Sequence, residues 1–400
     1  MSGNITRLGT ANTYDNAVRQ LTTRQSQLSN LQEQLTAGKK VLRPSDDPTA
    51  AAQAERAITR MARVATDQSA LEVQRNAMAS AESTLGDAVK AVQDFRALVV
   101  QAGNTALTRT DRASIAQQLT TLRDQILGYA NEKDSNGQPL FGGLGSTASP
   151  FVDQGTGVTF DGIAGQTASG TVSVPATLDG HATWMDVPTG NGVFGIAQAA
   201  GTSTVYTDAG QVTNPAALTG NDYSITFNVA GGVTTYDVMN TTTGVAVSTG
   251  QPYVDGQAIA FDGMSLVAKG VPANGAALQV TPSSTSSLFG VLDSAIKGIR
   301  DATTSGAVAQ NVAQALVQVD SGLSRLQASR GTAGDLLNRV DDISGRQENR
   351  SIQLEADRSR AEDLDMVKGL SDFQTQQTAY SAALGSYAQI QKQSLFNFIS

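Results

Sequence analysis

The chain of 400 residues contains no cysteine, which excludes disulfide bonds, thiolate catalysis and cysteine-ligated metals. It has one histidine, His181, so neither a pair of metal-binding imidazoles nor the H-E-x-x-H zinc pattern exists. Phosphate-cradling and dinucleotide-binding glycine patterns are also absent. The composition therefore predicts a protein without enzymatic activity, cofactor or metal. Two explanations for the lack of cysteine stay open: it arises by chance, or the protein crosses between compartments and cannot depend on their redox state.

Aromatic residues make up only 5% of the chain, and no apolar run approaches the ~20 residues of a membrane span. The net charge is -8, from 36 acidic and 28 basic residues, and no basic run with interleaved aromatic residues occurs. The first twenty residues include Arg7, Asp15 and Arg19 and no apolar core, so they do not form a conventional secretory signal. We expect neither a nucleic acid nor a membrane as partner.

The two chain ends have narrow apolar stripes with coiled-coil spacing. Near the start, Gln25 fills the one position of the stripe that is not apolar. The predicted stripe residues at the two ends are Tyr14, Val18, Leu21, Leu28, Leu35, Leu370, Phe373, Tyr380, Leu384, Tyr387 and Phe398. Because short amphipathic helices are marginal alone in water, we expect the two ends to pack on each other.

A second helix is predicted from Pro48 to about Ala102, roughly 80 Å long at 1.5 Å per residue. Its seam alternates spacings of three and four, but Arg75, Glu82 and Arg96 occupy seam positions. Two interpretations of these polar residues stay open: they set the register of a coiled coil, or the seam drifts and leaves them exposed. After a β-rich middle, helices resume at Leu288, and a last long helix is predicted to follow Gly331 and Gly334.

The middle of the chain, from about residue 146 to 287, is rich in Gly, Thr, Val and Asp and lacks a helical period. Alternating residues flank Gly231-Gly232, and a second pair of short runs flanks Asp262-Gly263, so two β-hairpins are predicted. His181 lies close to the only tryptophan, Trp184, and we expect this segment to pack on the β-region rather than to bind a ligand.

A hinge segment, residues 38–52, separates the first two helices. Gly38 suits the position just past a helix end, and the basic residues after it lie beside the exposed carbonyls of that end. Pro48 suits the first position of the next helix, with Asp47 as its N-cap. The predicted hinge residues are Gly38, Pro44, Ser45, Asp46, Asp47 and Pro48.

The predicted fold is mainly α with an inserted β domain: an elongated rod of long coiled-coil helices from both chain ends, with a central β-rich domain. The predicted divisions are an N-terminal coiled-coil spoke, the first rod helices, the inserted domain, the last rod helices and a C-terminal spoke, at residues 1–43, 44–143, 144–287, 288–350 and 351–400.

The S-D-D-P core of the hinge, the N-G-Q-P-L-F-G-G segment at residues 136–143 and the C-terminal heptads resemble bacterial flagellins and flagellar hook–filament junction proteins. The resemblance implies that the terminal helices form an inner tube, the rods a shell, and the inserted domain the outside. It also implies export through the flagellar type III pathway to an extracellular place in the flagellum. The implied partners are copies of the chain in a ring, a neighbouring hook-associated protein, flagellin, and a cytoplasmic export chaperone on the C-terminal helix.

Within this family, both chain ends favour the junction proteins. Flagellins usually begin with I-N-T-N and end in a Leu-Leu-rich tail, whereas this chain has Ile5-Thr6-Arg7-Leu8 and ends near Phe396 and Phe398. We therefore expect a structural component that joins hook to filament by self-assembly. A flagellin subunit is the alternative, and a coiled-coil surface adhesin or a displayed enzyme domain comes third.

Overall fold

The computed structural model describes residues 10–145, 149–199 and 205–396, and within those ranges it describes side chains from residue 15 to 389. The chain divides into two compact units. The terminal unit comprises Met1–Gln68 and Ser344–Ser400, and the central unit comprises Ser69–Ile343.

Long helices account for both ends of the chain, and a β-rich segment separates them, as predicted. The helices are α1 Thr10–Ala37, α2 Pro48–Ala102, α3 Arg109–Ala130, α4 Leu288–Asp301, α5 Ser305–Glu362 and α6 Met366–Phe396. The expected break at Gly331 and Gly334 is wrong, because α5 runs through both glycines without interruption. Instead, the helix stops at Glu362, where the heptad pattern alone indicates continuation.

The strands lie between α3 and α4 and form small antiparallel sheets. They are β1 Phe151–Asp153, β2 Val158–Phe160, β3 Val187–Pro188, β4 Phe194–Gln198, β5 Tyr206–Thr207, β6 Gln211–Val212, β7 Tyr223–Ala230, β8 Val233–Asn240, β9 Val245–Pro252, β10 Ala258–Phe261, β11 Met264–Lys269, β12 Ala277–Pro282 and β13 Thr285–Ser286. The largest sheet has the order β4-β12-β7-β8-β9.

Both predicted hairpins are confirmed. Strands β7 and β8 pair from Tyr223↔Asn240 to Ala230↔Val233 around Gly231-Gly232. Strands β10 and β11 turn at Asp262 and Gly263, which have φ of 40° and 77°. Positive φ at both central residues is the geometry that matches the twist of the flanking strands, and it explains why these turn residues identified the hairpins.

The central unit has two hydrophobic cores. One lies within the sheets and takes alternate residues of β7, such as Ile225 and Phe227, together with residues of β4 and β10–β12. The other lies among the helices and also includes Phe151, Trp184 and Val187 from the inserted segment.

The packing predicted for the Trp184 segment is confirmed only in part, since the Trp184 ring lies edge-on to Phe151 of β1 with centroids 6.3 Å apart. The Trp184 ring is fully buried in the helical core, stacked on Phe289 with centroids 6.0 Å apart, and does not pack on the β-region core. His181 begins a short π-helical turn, and its ring lies edge-on to Phe160 at 5.9 Å. The pairing of the only histidine with an aromatic ring supports its expected packing role.

The polar residues predicted for the seam of α2 lie beside it and form ion pairs with α5, which favours the second of the two interpretations. Ala81 and Phe95, one position earlier along the helix, are fully buried, whereas the side chains of Glu82 and Arg96 are 32% and 42% exposed. Arg96 binds Asp320 through two nitrogens, at 2.6 and 3.2 Å. Two more pairs follow along the helices, Arg330–Glu82 at 2.7 Å and Arg75–Asp341 at 3.4 Å. The pairs run in opposite order along the two helices, so they fit an antiparallel register while Leu85 and Val92 between them stay buried.

A buried arginine joins α3, α4 and strand β1, which pairs with β2 in a short hairpin. The Arg123 side chain is 7% exposed, and its guanidinium binds Asp293 at 3.0 and 3.2 Å, Asp124 at 3.1 Å, and Asp153. Burial alone lowers the pKa of Arg123, but the hydrogen bonds to Asp153 and Asp293 outweigh it and raise the pKa. The cluster therefore holds three elements through one cation.

Candidate assembly site at the chain ends

Helices α1 and α6 pack against each other in opposite directions, in agreement with the predicted pairing. Near the hinge, Gly369 lies against Leu35, where an added Cβ would come within 3.2 Å of a leucine methyl. Farther along, the amide of Gln376 donates a hydrogen bond to the side chain of Gln27. A later residue of α6 thus meets an earlier residue of α1, which makes the pair antiparallel.

The predicted stripe is only partly buried within this pair. Leu21, Leu28 and Leu35 of α1 and Phe373, Tyr380 and Tyr387 of α6 are half-buried. Val18, Leu370 and Leu384 are 38%, 52% and 43% exposed. The side chain of Tyr14 and all of Phe398 lie outside the described residues.

Three further positions of α1 belong to the packed face and were missed in the sequence. Ala17, Arg24 and Leu31 are half-buried, whereas Gln25, predicted to fill the stripe, is exposed. The spacing of Ala17, Leu21, Arg24, Leu28, Leu31 and Leu35 alternates four and three, so Leu31 is the signal that would have corrected the stripe.

Beside the packed face, α1 has a polar groove of about 590 Å³. It is lined by Asn16, Arg19, Gln20, Thr23, Arg24, Gln27 and Gln376. The apolar stripe of α1 is therefore narrow and bounded by amide, hydroxyl and guanidinium groups. A stripe of this kind contributes little burial to one isolated pair of helices.

The first half of the hinge segment ends α1 with a glycine cap. Gly38 has φ of +69°, and the backbone N–H of Lys39 donates to the carbonyl of Gln34 at 3.2 Å. This is the hydrogen bond of a Schellman motif, which satisfies a carbonyl at the helix end. Glycine is favoured at this position because other residues are strained at positive φ.

The second half begins α2, with Asp47 as the N-cap. One carboxylate oxygen of Asp47 accepts hydrogen bonds from the backbone N–H groups of Thr49 and Ala50, both at 3.0 Å. The bond from Ala50, followed by the hydroxyl of Thr49, lowers the pKa of Asp47. Pro48 occupies the first helical position, as predicted, because its missing N–H would have no partner there.

Asp46 closes the loop between the two caps. Its carboxylate accepts backbone N–H groups of Leu42 at 3.1 Å and Arg43 at 2.8 Å. Pro44 and Ser45 are exposed at the tip of this turn. Each predicted hinge residue thus lies in the non-helical segment or at its borders.

A second break, between α5 and α6, lies beside the hinge and was not predicted. The backbone N–H of Lys40 donates to Glu362 O at 2.8 Å, and that of Leu364 donates to Gly38 O at 2.9 Å. The ammonium of Lys39 pairs with the Glu362 carboxylate, and that of Lys40 donates to Arg360 O at 2.6 Å. The lysines expected beside the end of α1 therefore bind the end of α5, and the two breaks form one hydrogen-bonded unit.

Chemical sites are scarce around these elements. Within residues 10–145, 149–199 and 205–396, no group of three or more His, Asp or Glu residues is placed to hold a metal ion. None of the helices described in those ranges combines the length and apolar character that a membrane span requires.

Comparison with known proteins agrees with this geometry. The family model for the bacterial flagellin N-terminal helical region matches residues 9–146, and that for the bacterial flagellin C-terminal helical region matches residues 316–399. Together the two regions cover more than half of the chain. The chain belongs to the flagellin family.

Among curated members of the flagellin family, the chain is 37% identical to flagellar hook-associated protein 3 of Salmonella typhimurium over 153 residues, which are 38% of this chain and 47% of that protein. It is 32% identical to flagellar hook-associated protein 3 of Escherichia coli over 197 residues, 47% of this chain and 56% of that protein. The chain thus spans about half the length of the curated relatives it matches.

A solved structure of the same family has a similar fold. The crystal structure of flagellar hook-associated protein 3 from Legionella pneumophila matches with a TM-score of 0.70 and 27% identity, covering 76% of this chain and 97% of that one. The predicted flagellin-like fold, with helical regions from both chain ends and a β-rich middle, is therefore confirmed.

Proposed function

We propose that this chain is a structural, non-catalytic component of the bacterial flagellum that joins the hook to the filament. The observation that carries the proposal is the similarity of the chain to two proteins named flagellar hook-associated protein 3, at 37% and 32% identity. The flagellin-like helical regions at both ends support it, since they are the parts that a self-assembling member of this family shares with the filament subunit. The place of action is then extracellular, after export through the flagellar type III pathway.

The assembling surface in this proposal is the α1–α6 pair. Val18, Leu370 and Leu384 are apolar and partly exposed in the single chain, and Met366 and Val367 add exposures of 53% and 83% at the start of α6. Packing against further copies in a ring would remove these side chains from water and supply the burial that one pair of helices lacks. The neighbouring partners are a further hook-associated protein and flagellin.

Before export, the exposed stripe of α6 is a surface for a cytoplasmic chaperone. An amphipathic helix is commonly recognised through a groove that covers its apolar face. We also keep the division of the chain into spokes at residues 1–43 and 351–400, rod segments at 44–143 and 288–350, and an outer domain at 144–287 as part of the proposal. The hinge would then connect a spoke ordered by assembly with a rod that folds in the single chain.

The test is replacement of the gene for hook-associated protein 3 in a flagellated bacterium by the gene for this chain. The expected result is restored attachment of filaments to hooks, with an epitope-tagged chain visible by electron microscopy as a thin band at the end of the hook. Labelling along the whole filament would instead identify a filament subunit and contradict the junction role. A replacement by flagellin serves as the negative control.

The surface itself is tested by matched substitutions of exposed apolar residues. Leu370→Ser and Leu384→Ser are expected to reduce the fraction of hooks that carry filaments, because they remove apolar area that assembly buries. Val233→Ser and Val245→Ser, at side chains 62% and 61% exposed on β8 and β9, are the controls and should leave attachment unchanged. Equal effects of the two sets would contradict the assignment of the interface to α6.

A further inference from the structure

The terminal unit has a groove between the first turns of α2 and the last turns of α5. Its volume is about 350 Å³. Its lining residues are Gln53, Arg56, Ala57, Arg60, Leu354, Asp357, Arg360 and Ala361. Ala57, Leu354 and Ala361 form a buried floor, with exposures of 4%, 6% and 6%. Because two floor residues are alanines, the helix pair is indented here and side chains of another molecule can enter.

The rim of this arginine groove is positively charged. Arg360 pairs with Asp357, but Arg56 uses its Nε to donate to the carbonyl of Ala52 at 3.0 Å. In the part of the chain that the structure describes, neither Arg56 nor Arg60 has a carboxylate partner. The two are four residues apart on one helix, a spacing at which like charges repel. An anionic partner would remove this repulsion, and guanidinium groups bind carboxylates in a bidentate manner.

The charge of the chain is unevenly divided between its two units. The terminal unit holds 15 of the 28 basic and 13 of the 36 acidic residues, whereas the central unit holds 13 basic and 23 acidic residues. The net charge is therefore concentrated on the central unit. When copies meet, the terminal unit of one and the central unit of another have complementary charge, which favours that contact over contact between two central units.

Within the central unit, α5 exposes a group of carboxylates of the charge that the groove would bind. This group, the acidic turn, consists of Asp335, Asp341 and Asp342. Asp341 reaches Arg75 at 3.4 Å but its side chain stays 66% exposed. Asp335 and Asp342 have no ion-pair partner among the described residues, and they lie seven residues apart, on one face of the helix at about 10.5 Å. The nearby Arg339 donates instead to Gly170 O at 3.2 Å.

We infer that the arginine groove of one copy binds the acidic turn of α5 in a second copy of this chain. Arg56 and Arg60 pair with the carboxylates of that turn, and the alanine floor receives its aliphatic carbons. The inference rests on the proposed function in one respect, namely that copies of the chain meet in a flagellar assembly. Beyond the proposed function, it identifies the two surfaces through which the copies would contact each other.

The first test uses charge reversal with rescue. Arg60→Glu and Asp342→Arg are each expected to lower the fraction of hooks that carry filaments by roughly fivefold, because each places like charges across the contact. The double variant, which restores opposite charges with reversed polarity, should return the fraction to near that of the parent. Asp94→Arg, at an exposed position of α2, is the matched control and should have no effect.

Circular dichroism of each purified variant separates misfolding from lost contact, since all of these side chains lie on helix surfaces. The inference would be overturned if both single variants attached filaments to as many hooks as the parent. It would also be overturned if the defects of the two single variants simply added up in the double variant.

The second test uses the absence of native cysteine, which makes introduced thiols unambiguous. A chain with Gln53→Cys and Asp342→Cys, treated with a short bis-maleimide in isolated flagella, should form covalent dimers and longer multimers. Gln53→Cys combined with Asp94→Cys is the control pair and should give none. If the chain lies at the hook end but gives no cross-linked product between positions 53 and 342, the inference about the groove is wrong and the junction role is unaffected.

A chain that forms this product in filaments away from the hook supports the groove and contradicts the junction role. A chain absent from all flagellar fractions contradicts both. The two conclusions are therefore separately testable.

Discussion

Two antiparallel helix pairs with the same heptad spacing differ in how much they bury. In the central unit, Leu85, Val92 and Val99 of α2 have no exposed surface in their contact with α5 and its neighbours. In the α1–α6 pair, Val18 and Leu384 are 38% and 43% exposed. The central pair is covered by α3, α4 and the Trp184 segment, whereas α1 and α6, as far as they are described, pack mainly on each other.

The comparison shows that heptad spacing predicts which helices pair, but a third layer determines whether the seam is removed from water. Complete burial of a leucine side chain contributes about 1.5–3 kcal/mol, so a half-exposed seam forgoes much of its potential stabilisation. We therefore expect the central unit to be stable in the single chain. The α1–α6 pair leaves part of its apolar surface exposed.

The largest expected effect concerns the Arg123 cluster, which has no counterpart in the α1–α6 pair. Arg123→Met leaves Asp293 and Asp153 without their cation and should destabilise the central unit by about 3–5 kcal/mol. Arg300→Met, which breaks the exposed pair with Asp301 at 2.9 Å, is the control and should change the stability far less. Thermal unfolding followed by circular dichroism measures both. Equal melting temperatures would show that the cluster does not hold the unit together.

The same cluster predicts a dependence on pH. The hydrogen bond from Arg123, followed by that from the backbone N–H of Gly155, lowers the pKa of Asp153. A lowered pKa contributes stability that is present above the ordinary pKa of an aspartate and is lost as the pH falls through the lowered value. Asp153→Asn should therefore be less stable than the parent at neutral pH and lose less on acidification. A variant that loses stability in parallel with the parent would contradict this coupling.

The second effect compares one leucine from each helix pair. Leu85→Ala removes a fully buried side chain and should destabilise the central unit by about 2–5 kcal/mol. Leu384→Ala, at a side chain 43% exposed, should change the stability of the single chain by less than ~0.5 kcal/mol. Denaturant titration of the purified chain measures the pair. A large cost at Leu384 would mean that α6 is already fully packed without further copies.

The smallest expected effect lies in the hinge segment. Asp47→Ala removes the acceptor for the N–H groups of Thr49 and Ala50 and should destabilise only the start of α2. Faster hydrogen exchange at these two amides, with unchanged melting of the central unit, is the measurement. Ser45→Ala, at the exposed tip, is the matched control and should leave exchange unchanged. Loss of helix throughout α2 would show that the cap supports the whole helix.

Local rules were sufficient to predict most of this architecture from the sequence. Gly231-Gly232 and Asp262-Gly263 identified their hairpins because only such residues accept positive φ readily. Pro48 and Asp47 located the start of α2 for an equally local reason. The pairing of α1 with α6 followed from matching stripes at the two ends. Each of these features depends on a few neighbouring residues or on a period.

The errors arose where the outcome depends on distant contacts. The break after Glu362 interrupts a regular heptad pattern, and its hydrogen bonds go to Gly38 and Lys40, more than 300 residues earlier. Trp184 packs with Phe289 of α4, which no local pattern connects to it. Gly331 and Gly334 suggested a stop, but the buried neighbours Ala333 and Leu336 hold that part of α5 in the helix.

The bonded pair of breaks also has a mechanical meaning. The polypeptide enters and leaves the α1–α6 arm at one place. There, backbone hydrogen bonds join Lys40 to Glu362 and Leu364 to Gly38. We therefore expect a pull or a torque on the arm to be divided between α2 and α5. A load shared by two connections strains each peptide segment less than the same load carried by one.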